Sequence, residues 1–398
     1  MENDNTQNMP FMKENLRLSM PFKIVTGILI VLGIASVAFG FMQDPGRTWA
    51  NYLVNNYYFF SIAMGGVFFF VIQYISQAGW SAGFKRVPEA MMAWLPFAAV
   101  FFLLLYFGTH SIYHWSHDEA VADDKLLAHK SPFLNVPFFY IRMVFYFGLW
   151  ILFARMLRKF SLKEDLETGT KWFEKSEMYS KVFVFILAIT FSFAGIDWIM
   201  SIDAHWYSTL FALKNMVAAF LHGSSILILI VLLLNGKGYF PFLNKYHLHD
   251  FSRYLFMLAI VWGYFWFAQF MIIWYGNIPE ETIYYSVRWE KGWQTLFFLD
   301  IIVNWAVPFF VLLPIKASRN KYVILIVIFF LIIGQYIDLY LQVMPGTTGA
   351  LKFGIVEAGM FLGYAGLFAL VVGFTLSKAN LIPKNHPYLD ESLNHHFQ

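Results

Sequence analysis

Residues 207–234 read YSTLFALKNMVAAFLHGSSILILIVLLL. Lys214 is the only charged residue among them, and His222 is the one histidine. About 20 consecutive apolar residues cross the hydrocarbon core of a bilayer as a helix. The segment therefore reads as a transmembrane span that carries a lysine, and a charge at the bilayer centre costs at least ~2.5 kcal/mol on insertion scales. Nine further segments of the same kind lie near residues 22–42, 57–79, 87–108, 133–156, 179–202, 250–275, 291–314, 321–343 and 354–376. The fold class is thus an all-α integral membrane protein with about ten transmembrane helices.

Composition agrees, with 59% hydrophobic and 13% charged residues. In such a chain the bilayer replaces water as outer solvent, so 398 residues form a single polytopic membrane domain. The polar segment 1–21 is long for the leading region of a signal peptide, and the run that follows is long enough to span, so it is read as an uncleaved first helix. Residues 377–398 form a polar tail. The sequence has no cysteine, which excludes thiolate-held iron–sulfur clusters, c-type haem attachment and disulfides in this chain. A net charge of +3 is too small to suggest a nucleic-acid partner; membrane lipids are the expected surroundings.

Lys and Arg distribute unevenly. The N-terminus, the tail and four alternate loops hold 20 of the 28, the opposite loops hold 6, and Arg142 and Lys214 lie inside spans. The positive-inside rule then places both termini in the cytoplasm, with loops 43–56, 109–132, 203–206, 276–290 and 344–353 outside. Ile196-Asp197-Trp198-Ile199-Met200 resembles Ile337-Asp338-Leu339-Tyr340-Leu341 four spans later. This suggests two four-helix units in parallel repeat, 57–202 and 207–343, with two peripheral helices. A match this short is also what chance gives.

Five ionisable residues fall within the spans at similar depth: Arg142, Asp197, Lys214, Asp300 and Asp338. Glu357 is a looser addition near the start of the last span. Asp197 and Lys214 flank a short outer turn at Ala204 and His205, so the expected arrangement is an Asp197–Lys214 pair across a hairpin. Two cations against three carboxylates leave one carboxylate over. An unpaired buried carboxyl is protonated part of the time, as a proton relay requires. Asn304 follows Asp300 by one turn, and His222 lies deeper as a further proton-carrying candidate. The alternative is that these groups are interhelical clamps that fix packing without chemistry.

Other sites are weaker. His110, His114 and His117 have i, i+4, i+7 spacing and would share one face of a helix, as a metal site or a wet interfacial contact; no metal centre is assigned to them. A b-type haem needs two facing histidines, and only His222 is deep. No Gly-rich phosphate loop is present. Gly65, Gly66, Gly359, Gly363 and Gly366 suit close helix contacts.

The segment Gly195-Ile196-Asp197-Trp198-Ile199-Met200-Ser201, followed by His205-Trp206-Tyr207-Ser208-Thr209, resembles the outer helix-five/six hairpin of a membrane subunit of bacterial alternative complex III. That complex is a quinol:cytochrome c oxidoreductase, and the subunit belongs to the NrfD/polysulfide-reductase-like family. Within it the chain is most similar to the smaller quinone-binding subunit 2, of ActF type. The resemblance implies a multi-pass subunit in the bacterial cytoplasmic membrane, with no covalently bound cofactor and with menaquinone or its quinol as the expected ligand. It implies a larger related ten-helix quinone-binding subunit, periplasmic iron–sulfur and multihaem cytochrome c subunits, and in some assemblies a terminal oxidase. Haem and iron–sulfur clusters then belong to those partners. The expected function is support of quinol binding, proton transfer, or both, with Arg142, Asp197, Lys214, His222, Asp300, Asn304, Asp338 and Glu357 as candidate residues and no catalytic residue in this chain alone. A stand-alone secondary transporter and a structural scaffold for a periplasmic redox arm are the competing readings.

Overall fold

Short polar residues followed by proline set where several spans begin. Asp44 accepts from the Arg47 backbone N–H at 3.0 Å ahead of Pro45, and Asn135 accepts from Phe138 N–H at 3.0 Å ahead of Pro137. Each cap satisfies one of the free N–H groups of a first turn, and proline there gives up no bond.

The computed structural model describes residues 15–290, 292–349 and 351–396. Residues 1–14 of the expected N-terminal segment and the last two residues of the tail lie outside these. Among the described residues ten helices are long and apolar enough to cross a membrane. They are α1 (Met20–Gln43), α2 (Pro45–Ile75), α3 (Arg86–Ile112), α4 (Val136–Glu164), α5 (Lys171–Trp198), α6 (Thr209–Gly236), α7 (Lys245–Gly276), α8 (Trp293–Leu312), α9 (Lys321–Thr347) and α10 (Ile355–Leu376).

The segment 43–56, expected as an outer loop, is mostly the first turns of α2, which starts at Pro45. The polar residues Asn51, Asn55 and Asn56 concealed it, because they face protein and not lipid; each is fully buried. Helix α2 is in fact the most enclosed span, and it packs against α5, α6, α9 and α10. Helix α1 is the least enclosed and lies along α10.

Small residues permit the closest crossings. A Cβ on Gly65 would sit 2.5 Å from Gly223 Cα, where α2 meets α6. A Cβ on Gly33 would sit 2.4 Å from Gly363 Cα, where α1 meets α10. Backbones this near gain dispersion contacts that lipid cannot match.

An even number of spans puts both termini on one face, termed the terminal face; the other is the distal face. The tail does not trail away. Ser392 Oγ donates to Trp80 O at 2.8 Å and accepts from Gly83 N–H at 3.1 Å. His395 meets Asp250 at 2.6 Å. The tail is thereby strapped across the helix ends.

Candidate functional site

The buried charges gather toward the distal face. Arg142 lies six residues into α4, about 9 Å along the axis at 1.5 Å per residue. Its guanidinium grips the Asp197 carboxylate with two bonds, Nε to Oδ2 at 2.8 Å and Nη2 to Oδ1 at 2.9 Å. Nη1 donates to Phe133 O at 2.9 Å, and Tyr146 Oη donates to Asp197 Oδ2 at 3.2 Å. Phe133 covers the guanidinium at 3.9 Å. Both charges are compensated and fully hydrogen-bonded, the condition under which a buried pair is tolerated.

The expected Asp197–Lys214 pair is therefore not formed. Lys214 on α6 reaches α9 instead, with Nζ 2.5 Å from Asp338 Oδ1. Trp262 Nε1 donates to Asp338 Oδ2 at 3.3 Å. Hairpin neighbours share a depth, but the facing directions of α5 and α6 decide which helix each side chain meets, and a rise-per-residue argument is blind to direction.

Asp300 on α8 has no such partner. It is 2% exposed, and no cation lies within 4 Å of its carboxylate among the described residues. Trp266 Nε1 donates to Oδ2 at 3.1 Å and Asn304 Nδ2 to Oδ1 at 2.8 Å. Asn304 Oδ1 in turn accepts from Gln335 Nε2 at 2.9 Å. Asp300 lies two residues before a π-helical segment, Ile302–Ala306. Pro308 supplies a reason for it: lacking an N–H, it cannot bond the Asn304 carbonyl as the regular ladder would require. Such single π turns recur at functional sites.

Lys214, Gln269, Tyr284, Arg288, Asp300 and Asp338 line one cavity of about 30 Å³. That volume holds roughly two water molecules, which need about 10–15 Å³ each on this measure. Burial pushes the Tyr284 phenol above its ordinary range, so it stays a neutral hydroxyl. The cavity thus joins an ion pair, a carboxylate without a cation and several donors in one small polar space.

Arg288 was missed in the sequence because it sits in the short helix Pro279–Trp289, outside any span. It is 3% exposed and donates from Nε to Leu341 O at 2.8 Å and from Nη2 to Gln342 O at 3.2 Å. Pro345 inside α9 is the sequence feature that calls for such a donor. With no N–H, it leaves the Leu341 carbonyl without its helical donor.

Glu357 stands apart from this cavity. Arg47 clamps it with Nε to Oε1 at 2.8 Å and Nη2 to Oε2 at 2.7 Å, and Asn51 Nδ2 adds a bond of 2.8 Å. It ties the start of α10 to α2. His222 lies eight residues below Lys214 on α6, about 12 Å. Its Nδ1 pairs with Ser61 Oγ at 3.0 Å and its ring lies on Tyr58 at 4.1 Å, while among the described residues Nε2 has no hydrogen-bond partner. Ser224 Oγ and Tyr57 Oη are buried in the same condition.

The histidines of the distal loop do not share a helical face. The helix Thr109–Ile112 ends before His114, which begins a separate short turn. His110 Nδ1 pairs with Ser116 Oγ at 3.0 Å, and His117 Nε2 pairs with His110 O at 2.8 Å. Among the described residues no group of three His, Cys, Asp or Glu could hold a metal ion.

No protein-family model matches this chain, and no curated protein matches it.

Proposed function

We propose that the chain is a membrane subunit of a respiratory quinol oxidoreductase complex, and that it moves protons through buried ionisable residues for a quinol site held mainly by a partner. The observation that carries this reading is Asp300, a buried carboxylate with no cation in contact that opens onto a cavity of two-water size. A carboxyl in that state can take a proton and pass it on, as a general acid–base relay needs. The neighbouring Lys214–Asp338 pair offers a second proton position within the same cavity. The Arg142–Asp197 pair and the Arg47–Glu357 pair are closed by comparison and serve as interhelical clamps.

The cavity is too small for a quinol ring, which favours proton transfer over quinol binding inside this chain. An apolar groove of about 420 Å³ beside the hairpin, lined by Phe133, Ile196, Met200 and Trp206 with His129 and Lys130 at its rim, is of ring size. It is the place in this chain where a quinol head shared with a partner would fit.

The proposed setting is the bacterial cytoplasmic membrane with both termini inside. The partners are the related larger ten-helix subunit, periplasmic iron–sulfur and multihaem cytochrome c subunits, and a terminal oxidase where one is present. Gentle purification of the tagged chain tests this. It should bring proteins with c-type haem, whose spectrum a chain without cysteine cannot itself supply. Recovery of a colourless, solitary and transport-active protein would instead establish a stand-alone transporter.

A further inference from the structure

On the terminal face α3 is broken. Pro88 and Pro96 flank a tight turn at Met92–Trp94, and the small residues Ala93 and Ala154 leave room where α3 faces α4. The result is a groove of about 490 Å³ between α3, α4 and the end of α10, with Pro96 and Ile151 among its apolar lining.

The last turns of α4 carry Arg155, Arg158, Lys159 and Lys163 along this groove. Their engagement differs. Arg158 bonds Glu89, the one carboxylate in the lining, which Arg86 also holds. Lys163 lies over the Trp172 ring at 4.3 Å. Arg155 and Lys159 sit one turn apart on the same face, both exposed, and neither has a carboxylate within 4 Å among the described residues.

A topological bias toward basic residues accounts for cations on this face, but not for their placement at the mouth of an apolar groove. Lys159 to Ile151 spans about 12 Å of helix, close to the ~15 Å depth of one leaflet's hydrocarbon. The groove therefore offers positive charge at headgroup level and apolar walls at acyl-chain level. Basic pockets between spans are suited to anionic lipid headgroups.

We propose that this groove binds an anionic phospholipid, with its phosphate between Arg155 and Lys159 and its acyl chains along Pro96 and Ile151. The site is independent of the redox assignment, since it needs only a bilayer that contains such lipid.

The test is lipid binding by the purified full chain, with whatever subunits accompany it, in detergent. Phosphatidylglycerol and phosphatidylcholine are the two probes, followed by native mass spectrometry and by melting temperature. Wild type should retain phosphatidylglycerol and be stabilised by it, but not by phosphatidylcholine. R155Q/K159Q should bind phosphatidylglycerol roughly thirtyfold more weakly, given the usual contribution of each basic residue near an anionic surface, while R155K/K159R keeps it. Ala154→Phe leaves every charge in place and should displace the lipid by filling the groove, so the proposal stays testable if the glutamine variant does not fold. Equal retention of the two lipids, unchanged retention in both R155Q/K159Q and Ala154→Phe, or a partner helix or neutral isoprenoid quinone in the groove of the assembled complex would overturn it.

Discussion

Lys214 Nζ lies 2.5 Å from Asp338 Oδ1 and lines one cavity with Asp300, whose carboxylate no cation contacts among the described residues. The two partners of the pair are therefore not equivalent. Lys214→Met leaves Asp338 and Asp300 facing each other with no cation in contact, whereas Asp338→Asn leaves Lys214 with Asp300 across the cavity. Removal of one member of a buried pair costs about 3–5 kcal/mol. The lysine variant should fall in that range and the asparagine variant clearly below it, read from unfolding in detergent. Equal losses would show that Lys214 has no influence on Asp300 across the cavity.

Asp300→Asn separates relay from clamp. The amide is the same shape and keeps an oxygen for Trp266 Nε1, which now donates at 3.1 Å; its NH2 meets Asn304, so the Asn304 and Gln335 amides must turn over together to keep the bonds, and assembly should persist with a modest loss in melting temperature. Proton transfer is lost, because the amide does not titrate. Quinol turnover of the assembled complex should drop by about a hundredfold or more, the usual contribution of a positioned acid–base group. Normal turnover per assembled complex would reduce Asp300 to a packing residue.

The sequence was informative about this layer in one respect and silent in another. Apolar runs with isolated charges locate residues along the membrane normal, and Arg142, Asp197, Lys214, Asp300 and Asp338 are all buried. Which helix each one faces depends on rotation about the helix axis and on crossing angle. Those follow from contacts such as Gly65 against Gly223, which link residues 158 positions apart. Arg288 and the first turns of α2 were hidden for a related reason: they are polar residues buried against protein, and a search for lipid-facing apolarity passes over them. The Gly65 and Gly363 contacts were legible because a residue without a side chain has one main use in a span.

His386 makes docking of the tail depend on pH. Its ring lies 5.3 Å from Phe173 and 6.0 Å from Tyr74. Burial, with Lys85 and Arg86 nearby, pulls its imidazole down to about 2, against ~6.5 in a free chain. The docked tail thus favours the neutral ring. The contribution is complete above about pH 6.5 and is lost progressively as pH falls below it. Hydrogen exchange at residues 384–388 should be roughly tenfold faster at pH 5.5 than at pH 7.5, after correction for intrinsic rates. His386→Phe keeps the ring contacts and should remove most of that dependence; an unchanged pH response in this variant would assign the effect to other groups.

Arg288 and Pro345 should be coupled although their side chains do different things. Arg288 satisfies the carbonyls of Leu341, Gln342 and Tyr284 at 2.8, 3.2 and 2.7 Å. Of these only the Leu341 carbonyl has lost its helical donor, to Pro345; a buried carbonyl left without a donor costs about 1–3 kcal/mol, so Arg288→Met should destabilise the protein by about that much. Pro345→Ala restores an N–H that can bond the Leu341 carbonyl within the helix. In that background the arginine has one carbonyl fewer to satisfy, and its removal should cost about 1 kcal/mol less, the net worth of one hydrogen bond. A double-mutant cycle on unfolding in detergent measures the difference. Strict additivity would mean that the proline is not the reason the arginine is buried.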